Sequence, residues 1–367
     1  MLDGIEALDR PPGPHLPRCE HGGKNYEAQR ATTKDLAQAA GVSRATVDRV
    51  LNGREGVRKK TVDKVNAAIA ELGFVRNIAA ANLAKSRTYR FLFVLPQSGD
   101  QFLDEILRHI HEAETVFSAD MVSTDVHHID ENDPHQIAGF LGALSPETID
   151  GVAIMAPETP QVRDAILRLQ QRGMHTLPFI SNQTLNSNHW VGIDNGAAGA
   201  TAATLIGRFL PQRPGKLVVI ADSIQSRDSL ERRSGFDAVI NASFSHLETL
   251  PSMETYGSEN RTQRIISTSF HHQNDIVGVY IISSEARVPL SVIRQTAVPQ
   301  SVVIVAHERT PSTVEALIDG TLDAVITQDP GHLVRSAVRK LRALTDMRST
   351  LHSQEKIRVE ILLKTNL

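Results

Sequence analysis

The chain has 367 residues, 41% hydrophobic and 22% charged, which is ordinary for a globular protein with room for a large core and two or three domains. One cysteine, Cys19, excludes an intrachain disulfide or a multi-cysteine metal centre, and no apolar run approaches the ~18 residues of a membrane span. The net charge of −3 excludes a uniform polycation but hides an asymmetry: residues 31–90 carry twelve Lys and Arg against five Asp and Glu, and the residues beyond carry 23 against 32. A basic block on an acidic body suggests a nucleic-acid-binding module joined to something else; the bland alternative is a solvated helical face with chance excess charge.

Residues 1–30 are rich in Pro and Gly without periodicity and read as a disordered tail. Three acids precede the first proline and no apolar segment follows them, so no secretory signal is read and a cytoplasmic location is expected. His15, Cys19 and His21 lie close together there, too few ligands for a metal site.

Residues 32–73 read as three short helices. Thr32 or Thr33 caps the first, with Asp35 suiting the helix dipole and Leu36, Ala37 and Ala40 forming its apolar face. Gly41 allows a sharp turn, Ser43 caps a second helix, and Asn52-Gly53 stops it. A third helix from about Arg58 carries an apolar stripe of Val62, Val65, Ile69 and Leu72, and Gly73 ends it. Two short helices across a Gly turn with a third packed on them is the helix-turn-helix plan. Residues 77–84 favour helix but offer little to bury, so that segment is expected to fold only when docked.

From Arg90 the pattern changes. Apolar runs at 91–95, 121–126, 151–155, 176–180, 217–221, 276–282, 302–306 and 322–327 alternate with amphipathic stretches at 102–117, 135–144, 161–172, 196–210, 229–243, 259–271, 312–320 and 331–345. Repeated βα alternation predicts parallel sheets covered by helices on both faces. This length exceeds one sheet comfortably, so two lobes are expected, with ligands at the carboxyl ends of the strands in the crevice between them.

The segment 32–53, TTKDLAQAAGVSRATVDRVLNG, closely resembles the headpiece of the LacI/GalR family of bacterial transcriptional regulators, and Val57, Thr61, Val65, Ile69, Leu72 and Phe74 continue the likeness. Asn77 and Leu83-Ala84 resemble the family's hinge helix. The resemblance implies an all-α helix-turn-helix headpiece followed by an α/β core of two doubly wound lobes, like type I periplasmic binding proteins. Its domains would be the tail, a DNA-binding domain at 31–75, a hinge at 76–89 and an effector-binding and dimerisation domain at 90–367. The implied DNA-binding residues are Thr33, Ser43, Arg44, Ala45, Thr46, Asp48, Arg49, Asn52, Thr61, Asn77, Ala80 and Leu83. Arg44 and Ala45 open the recognition helix, where Arg can bond guanine bidentately and Ala can touch a thymine methyl. Ser43, Thr46 and Asn52 suit phosphates. Leu83 matches a leucine that wedges between base pairs in the minor groove. Asp48 departs from the family, where a small polar residue is expected; it either accepts from a cytosine amino group or pairs with a neighbour.

The core resembles sugar-binding members of the family. VGIDNGAAG at 191–199 looks like the segment entering the cleft, SLERRSGF at 229–236 like the one whose arginine reaches ligand hydroxyls, and TQDP at 327–330 like a crossover between lobes. The implied effector-binding residues are Asp100, Phe102, Ser181, Asn182, Asp194, Asn195, Arg232, Ser283, Glu308 and Gln328. Carboxylates, amides and Arg bond hydroxyls directionally, and an aromatic ring covers a sugar's CH face. Glu308 and Ser181 stand where the family pattern has Asp. Asp194 and Asn195 also read as a helix N-cap, Arg232 as a surface ion pair, and Glu308 as a loop acid.

The implied function is a sequence-specific DNA-binding regulator, a repressor, whose operator affinity is set by a small sugar-like effector. It would be a homodimer or dimer of dimers, need no cofactor or metal, and act without a membrane. Nothing matches a GxGxxG following a strand, GxxxxGK[ST], HExxH or GxSxG, so an enzyme is not expected. The His pairs at 127–128 and 271–272 are expected at the surface. The alternatives are a sugar-binding protein without DNA function and a sugar-modifying enzyme.

Overall fold

The computed structural model describes residues 31–51, 56–74, 88–97, 99–117, 121–183, 190–224, 226–272, 275–296, 298–350 and 352–367. The tail, the Asn52-Gly53 stop and hinge residues 76–87, and with them Cys19, Asn52, Asn77, Ala80 and Leu83, lie outside the described residues. The chain divides into two compact units, Met1–Ala81 and Asn82–Leu367.

The first unit contains α1 (Thr33–Ala40), α2 (Arg44–Leu51) and α3 (Lys59–Glu71). Thr32 caps α1 reciprocally: its hydroxyl accepts from the Asp35 N–H, and the Asp35 carboxylate accepts from the Thr32 N–H at 2.7 Å. These bonds hold the Asp35 carboxyl below its usual range. Gly41 ends α1 at φ 62°, a left-handed conformation that suits glycine, and Ser43 Oγ accepts from the Thr46 N–H at 3.1 Å to start α2. Leu36, Ala37, Ala40, Val47, Val65 and Ala68 form the core. The stripe expected on α3 is corrected at one end: Leu72 is 39% exposed, while Ala68 is buried. Ala68 lies three residues beyond Val65, on the inward face, and Leu72 falls past the last turn.

The second unit has two lobes. In the first, β1 (Tyr89–Pro96), β2 (Val122–Ile129), β3 (Gly151–Ile154) and β4 (His175–Pro178) form a parallel sheet in the order β2-β1-β3-β4, with α4 (Gln101–Phe117), α5 (Pro134–Ala143) and α6 (Pro160–Gln171) between strands. The second lobe alternates α7 (Asn195–Phe209), β5 (Gly215–Ala221), α8 (Arg227–Ser243), β6 (Leu247–Thr249), β7 (Met253–Glu254), α9 (Glu259–His272), β8 (Ile276–Ile281), α10 (Arg287–Gln295), β9 (Val303–His307), α11 (Pro311–Asp319) and β10 (Ala324–Thr327). The chain then returns to the first lobe as α12 (Pro330–Thr345), packed on α4, β3 and β4. After α13 (His352–Glu355) it ends as β11 (Glu360–Leu362), antiparallel to β10, which completes the order β11-β10-β9-β8-β5-β6 with β7 also on β5.

The central strands are near-continuous apolar runs because both faces are covered: β3, β8, β9 and β10 are buried throughout, unlike the edge strand β2. Four helices begin with the same local device, a capping side chain followed by proline: Asp133-Pro134, Thr159-Pro160, Thr310-Pro311 and Asp329-Pro330. Each cap satisfies an orphan N–H, and each proline supplies helical φ without needing a donor.

Candidate DNA-reading face and interlobe cleft

In the headpiece, Val47 anchors α2 in the core while Ser43, Arg44, Ala45, Asp48 and Arg49 are exposed. Positions 44, 45, 48 and 49 form one contiguous exposed strip, with Arg49 on the far side from Val47 and Arg44 flanking it. Thr33, Thr46 and Thr61 are half-buried, and Thr46 also shares a 2.8 Å hydrogen bond with Ser43 Oγ. A rigid helix, pinned by Val47 and capped by Ser43, thus presents two guanidinium groups and a methyl on one edge.

In the second unit, the expected cleft residues form a buried chain of hydrogen bonds. Arg232 on α8 donates through Nε to Asn195 Oδ1 at 2.8 Å, through Nη1 to the Ile282 carbonyl at 2.9 Å and through Nη2 to Glu308 Oε1 at 3.1 Å. Gln328 Nε2 donates to the same Glu308 oxygen at 3.0 Å, and the Thr327 hydroxyl to the other at 3.3 Å. At the opposite end, Asn195 Nδ2 donates to Asp228 Oδ1 at 3.3 Å, and Ser181 of the first lobe donates to Asp228 Oδ2 at 2.8 Å. Glu308 is fully buried, so desolvation pushes its carboxyl up against the opposing pull of Arg232. Desolvation also raises Asp228, with Arg232 again opposing. Behind Arg232, Phe236 stacks on Tyr280 with ring centroids 4.5 Å apart, and the Tyr280 hydroxyl meets His307 Nε2 at 2.7 Å. Burial, with the Arg232 charge beside it, holds His307 neutral. Arg232 is therefore neither a surface residue nor a surface pair.

Close helix packing sets this geometry. A Cβ on Gly199 of α7 would lie 1.8 Å from the Arg232 carbonyl oxygen, and one on Gly235 of α8 would lie 2.0 Å from that of Gly196. Backbone approaches backbone at both glycines, which carries Asn195 and Arg232 into bonding range. Glu308 takes φ 61° and Ile180, just before Ser181, takes φ 63°; non-glycine residues rarely adopt this region, and such strain concentrates at functional sites.

Further bonds tie the lobes along the cleft. The loop after β1 contributes Asp100, which accepts from the Ser284 hydroxyl, and Gln101, whose N–H donates to Glu285 Oε2 at 3.2 Å and whose Oε1 accepts from the Ser312 N–H at 3.3 Å. Arg227 joins Glu158 of the first lobe at 2.8 Å. The Ser283 hydroxyl holds the Asp222 N–H, and the Thr255 hydroxyl donates to the Asp222 carboxylate at 2.7 Å.

Three expected residues stand apart. Phe102 is 3% exposed in the hydrophobic core, and its N–H donates to Asp100 Oδ1, so the ring packs as core rather than as a sugar platform. Asp194 is exposed and caps α7 by accepting from the Ala197 N–H at 2.9 Å. Asn182 and Asp194 line a separate cavity with Trp190, Glu231 and Ser234. The sequence reading missed Asp222, Asp228, Glu285 and Ser284. Asp222 directly follows β5, and Asp228 opens the segment already singled out for Arg232, so the rule that ligands meet strand carboxyl ends was the signal that could have found them. Of the His pairs, His128 is exposed and His127, half-buried, stacks on Phe140 at the edge strand β2, while His271 is exposed near the end of α9.

Residues 91–348 match the periplasmic binding protein domain family, and the chain belongs to that family. Residues 32–77 match the bacterial regulatory proteins of the lacI family, so the periplasmic-binding-protein-like core follows a lacI-type helix-turn-helix domain. HTH-type transcriptional regulator RegA of Clostridium saccharobutylicum is 35% identical over 136 residues, 37% of this chain and 39% of the relative. Catabolite control protein A of Streptococcus mutans is 27% identical over 181 residues, 48% of this chain and 51% of the relative. The chain therefore spans about two fifths to one half the length of these curated relatives. Among solved structures, a protein described as a LacI transcriptional regulator from Bacteroides fragilis superposes with a TM-score of 0.67 at 18% identity, covering 76% of this chain and 98% of its own. A periplasmic solute-binding protein of Actinobacillus succinogenes with bound D-allose gives 0.68 at 11% identity, covering 76% and 99%. These likenesses carry the fold. Among the described residues, no helix is long and apolar enough to cross a membrane.

Proposed function

We propose that this chain is an effector-controlled transcriptional repressor acting in the cytoplasm as a homodimer. Residues 31–75 read the major groove, 76–89 serve as hinge, and 90–367 bind the effector and dimerise. Arg44 and Arg49 supply base or phosphate contacts, with Ala45 and Asp48 on the same face; Ser43, Thr46, Thr33, Thr61 and Asn52 position the backbone; Asn77, Ala80 and Leu83 act in the minor groove. In the core, Asn195, Arg232, Ser283, Glu308, Gln328, Asp100 and Ser181 hold the ligand. Access needs the lobes to part along the Asp100–Ser284 and Ser181–Asp228 contacts, and reclosure around ligand selects one lobe arrangement. A dimer that couples that arrangement to its hinges has different operator affinity in the two states. The role is binding rather than turnover.

The observation that carries this reading is a single chain joining an exposed two-arginine helical face, in a lacI-type segment, to a buried polar network spanning two lobes. A gel-shift with the full chain on upstream DNA tests it. Preference for specific over scrambled duplex at low salt is expected; folded protein that binds neither, or both equally, would refute it.

A further inference from the structure

We propose that the effector accepted between the lobes is cationic, an amine-bearing polyol, rather than an anionic sugar derivative such as a sugar phosphate or uronate. This inference rests on reading the cleft as the effector site. The strand ends of both lobes deliver carboxylates to it: Asp100 after β1 and Glu131 after β2 from one side, Asp222 after β5, Glu285 after β8 and Glu308 after β9 from the other. Burial pushes up the carboxyls of the other four, and the negative charge of Asp100 adds a smaller push in the same direction to each.

Three of the neighbouring arginines are already engaged, while Arg309, next to Glu308, is exposed. Every donor nitrogen of Arg232 has a partner. Arg227 is shared between Glu158 and Glu231. Arg287 is largely exposed and faces Glu285 at 3.8 Å and the Gly99 carbonyl. An incoming anion would find no free cation among these three and several like charges.

A second, independent observation points to a ligand. Gln328 is 2% exposed and its amide nitrogen is engaged by Glu308, yet its Oε1 is buried without a hydrogen-bond partner. An orphaned buried acceptor is costly, and here it sits beside the carboxylate of the buried ion pair, so the site lacks donors rather than acceptors. An ammonium carries three donors and no acceptor, and polyol hydroxyls add more, whereas a phosphate or carboxylate brings acceptors. A bare metal ion does not fit: among the described residues no three His, Cys, Asp or Glu converge to hold one. The positive charge must arrive on a body large enough to span several strand ends.

The test is calorimetry and thermal shift on the full chain with matched series of hexoses and inositols, each in amino, neutral, phosphorylated and carboxylated form, at constant ionic strength. An amino member should bind at least tenfold tighter than its neutral counterpart, with phosphates and uronates giving no shift. Asp222→Asn should erase most of that preference while the neutral counterpart binds as before; if Asp222→Asn unfolds, Glu131→Gln serves. An anionic member binding as tightly as the amine, a neutral member matching it, or a panel with no amine-bearing binder overturns the proposal. Operator binding by the same samples is scored separately, so loss of the charge preference is distinguishable from failure of the regulator reading.

Discussion

Arg44 and Arg232 are both arginines, but their surroundings assign them opposite work. Arg44 is exposed at the first turn of α2, where nothing in the headpiece core depends on it. Arg44→Ala should leave folding unchanged and reduce discrimination between operator and scrambled duplex by ~1–3 kcal/mol, read by fluorescence anisotropy at fixed salt. Equal discrimination would remove its base-reading role. Arg232 is buried against buried Glu308, so Arg232→Met leaves an uncompensated carboxylate and should destabilise the core by about 3–5 kcal/mol. Adding Glu308→Gln should recover much of that loss in denaturant melts while the effector response stays absent. Non-recovery would mean that the pair matters through packing rather than charge.

Glu308 and Gln328 were legible because each follows a strand, Asn195 because it opens a helix, and Arg232, in the second turn of α8, because its segment resembles the family's. Phe102 was misplaced for a local reason. It is the second residue of α4 and only the fold tells that its ring turns into the core, whereas the N-cap alternative read for Asp194 is the one the structure has. Asp222 bears on pH. Burial raises its carboxyl above the ordinary value, so its contribution to stability is present below that value and is lost as pH rises through the raised one. Asp222→Asn should therefore match the parent protein near pH ~4 and exceed it in Tm near pH ~7. A variant less stable at both values would show that the Thr255 bond, not desolvation, dominates.

At the scale of elements, the α7–α8 crossing sets the cleft, and two glycines set the crossing. Gly199→Ala forces a Cβ onto the Arg232 carbonyl, and overpacking of this kind costs about 1–3 kcal/mol. The helices should separate, weakening effector affinity more than operator affinity; unchanged effector affinity in calorimetry would show that the crossing does not position Arg232. The eight strands and eight helices expected beyond residue 90 all form, because continuous apolar runs and cap-proline starts are strong local signals. The elements that escaped were β6, β7, β11, α10 and α13. Strands of two or three residues bury too little for a periodic pattern, and α10 interrupts its own with Pro289 and lacks a side-chain cap. The return of α12 to the first lobe follows the crossover read at 327–330.

For the whole molecule, most of the basic block falls in the first compact unit and the acidic body in the second, and the proposed hinge at 76–89 joins them. The central claim is energetic coupling: ligand in the cleft changes the affinity of α2 for operator, and operator changes the affinity of the cleft for ligand by the same factor. The direct measurement is operator affinity of the full chain by anisotropy, with and without saturating ligand from the panel. A change of about 5–150-fold is expected, lost in Arg232→Met with Glu308→Gln although that variant still binds operator. Ligand binding by calorimetry with operator affinity unchanged would contradict it.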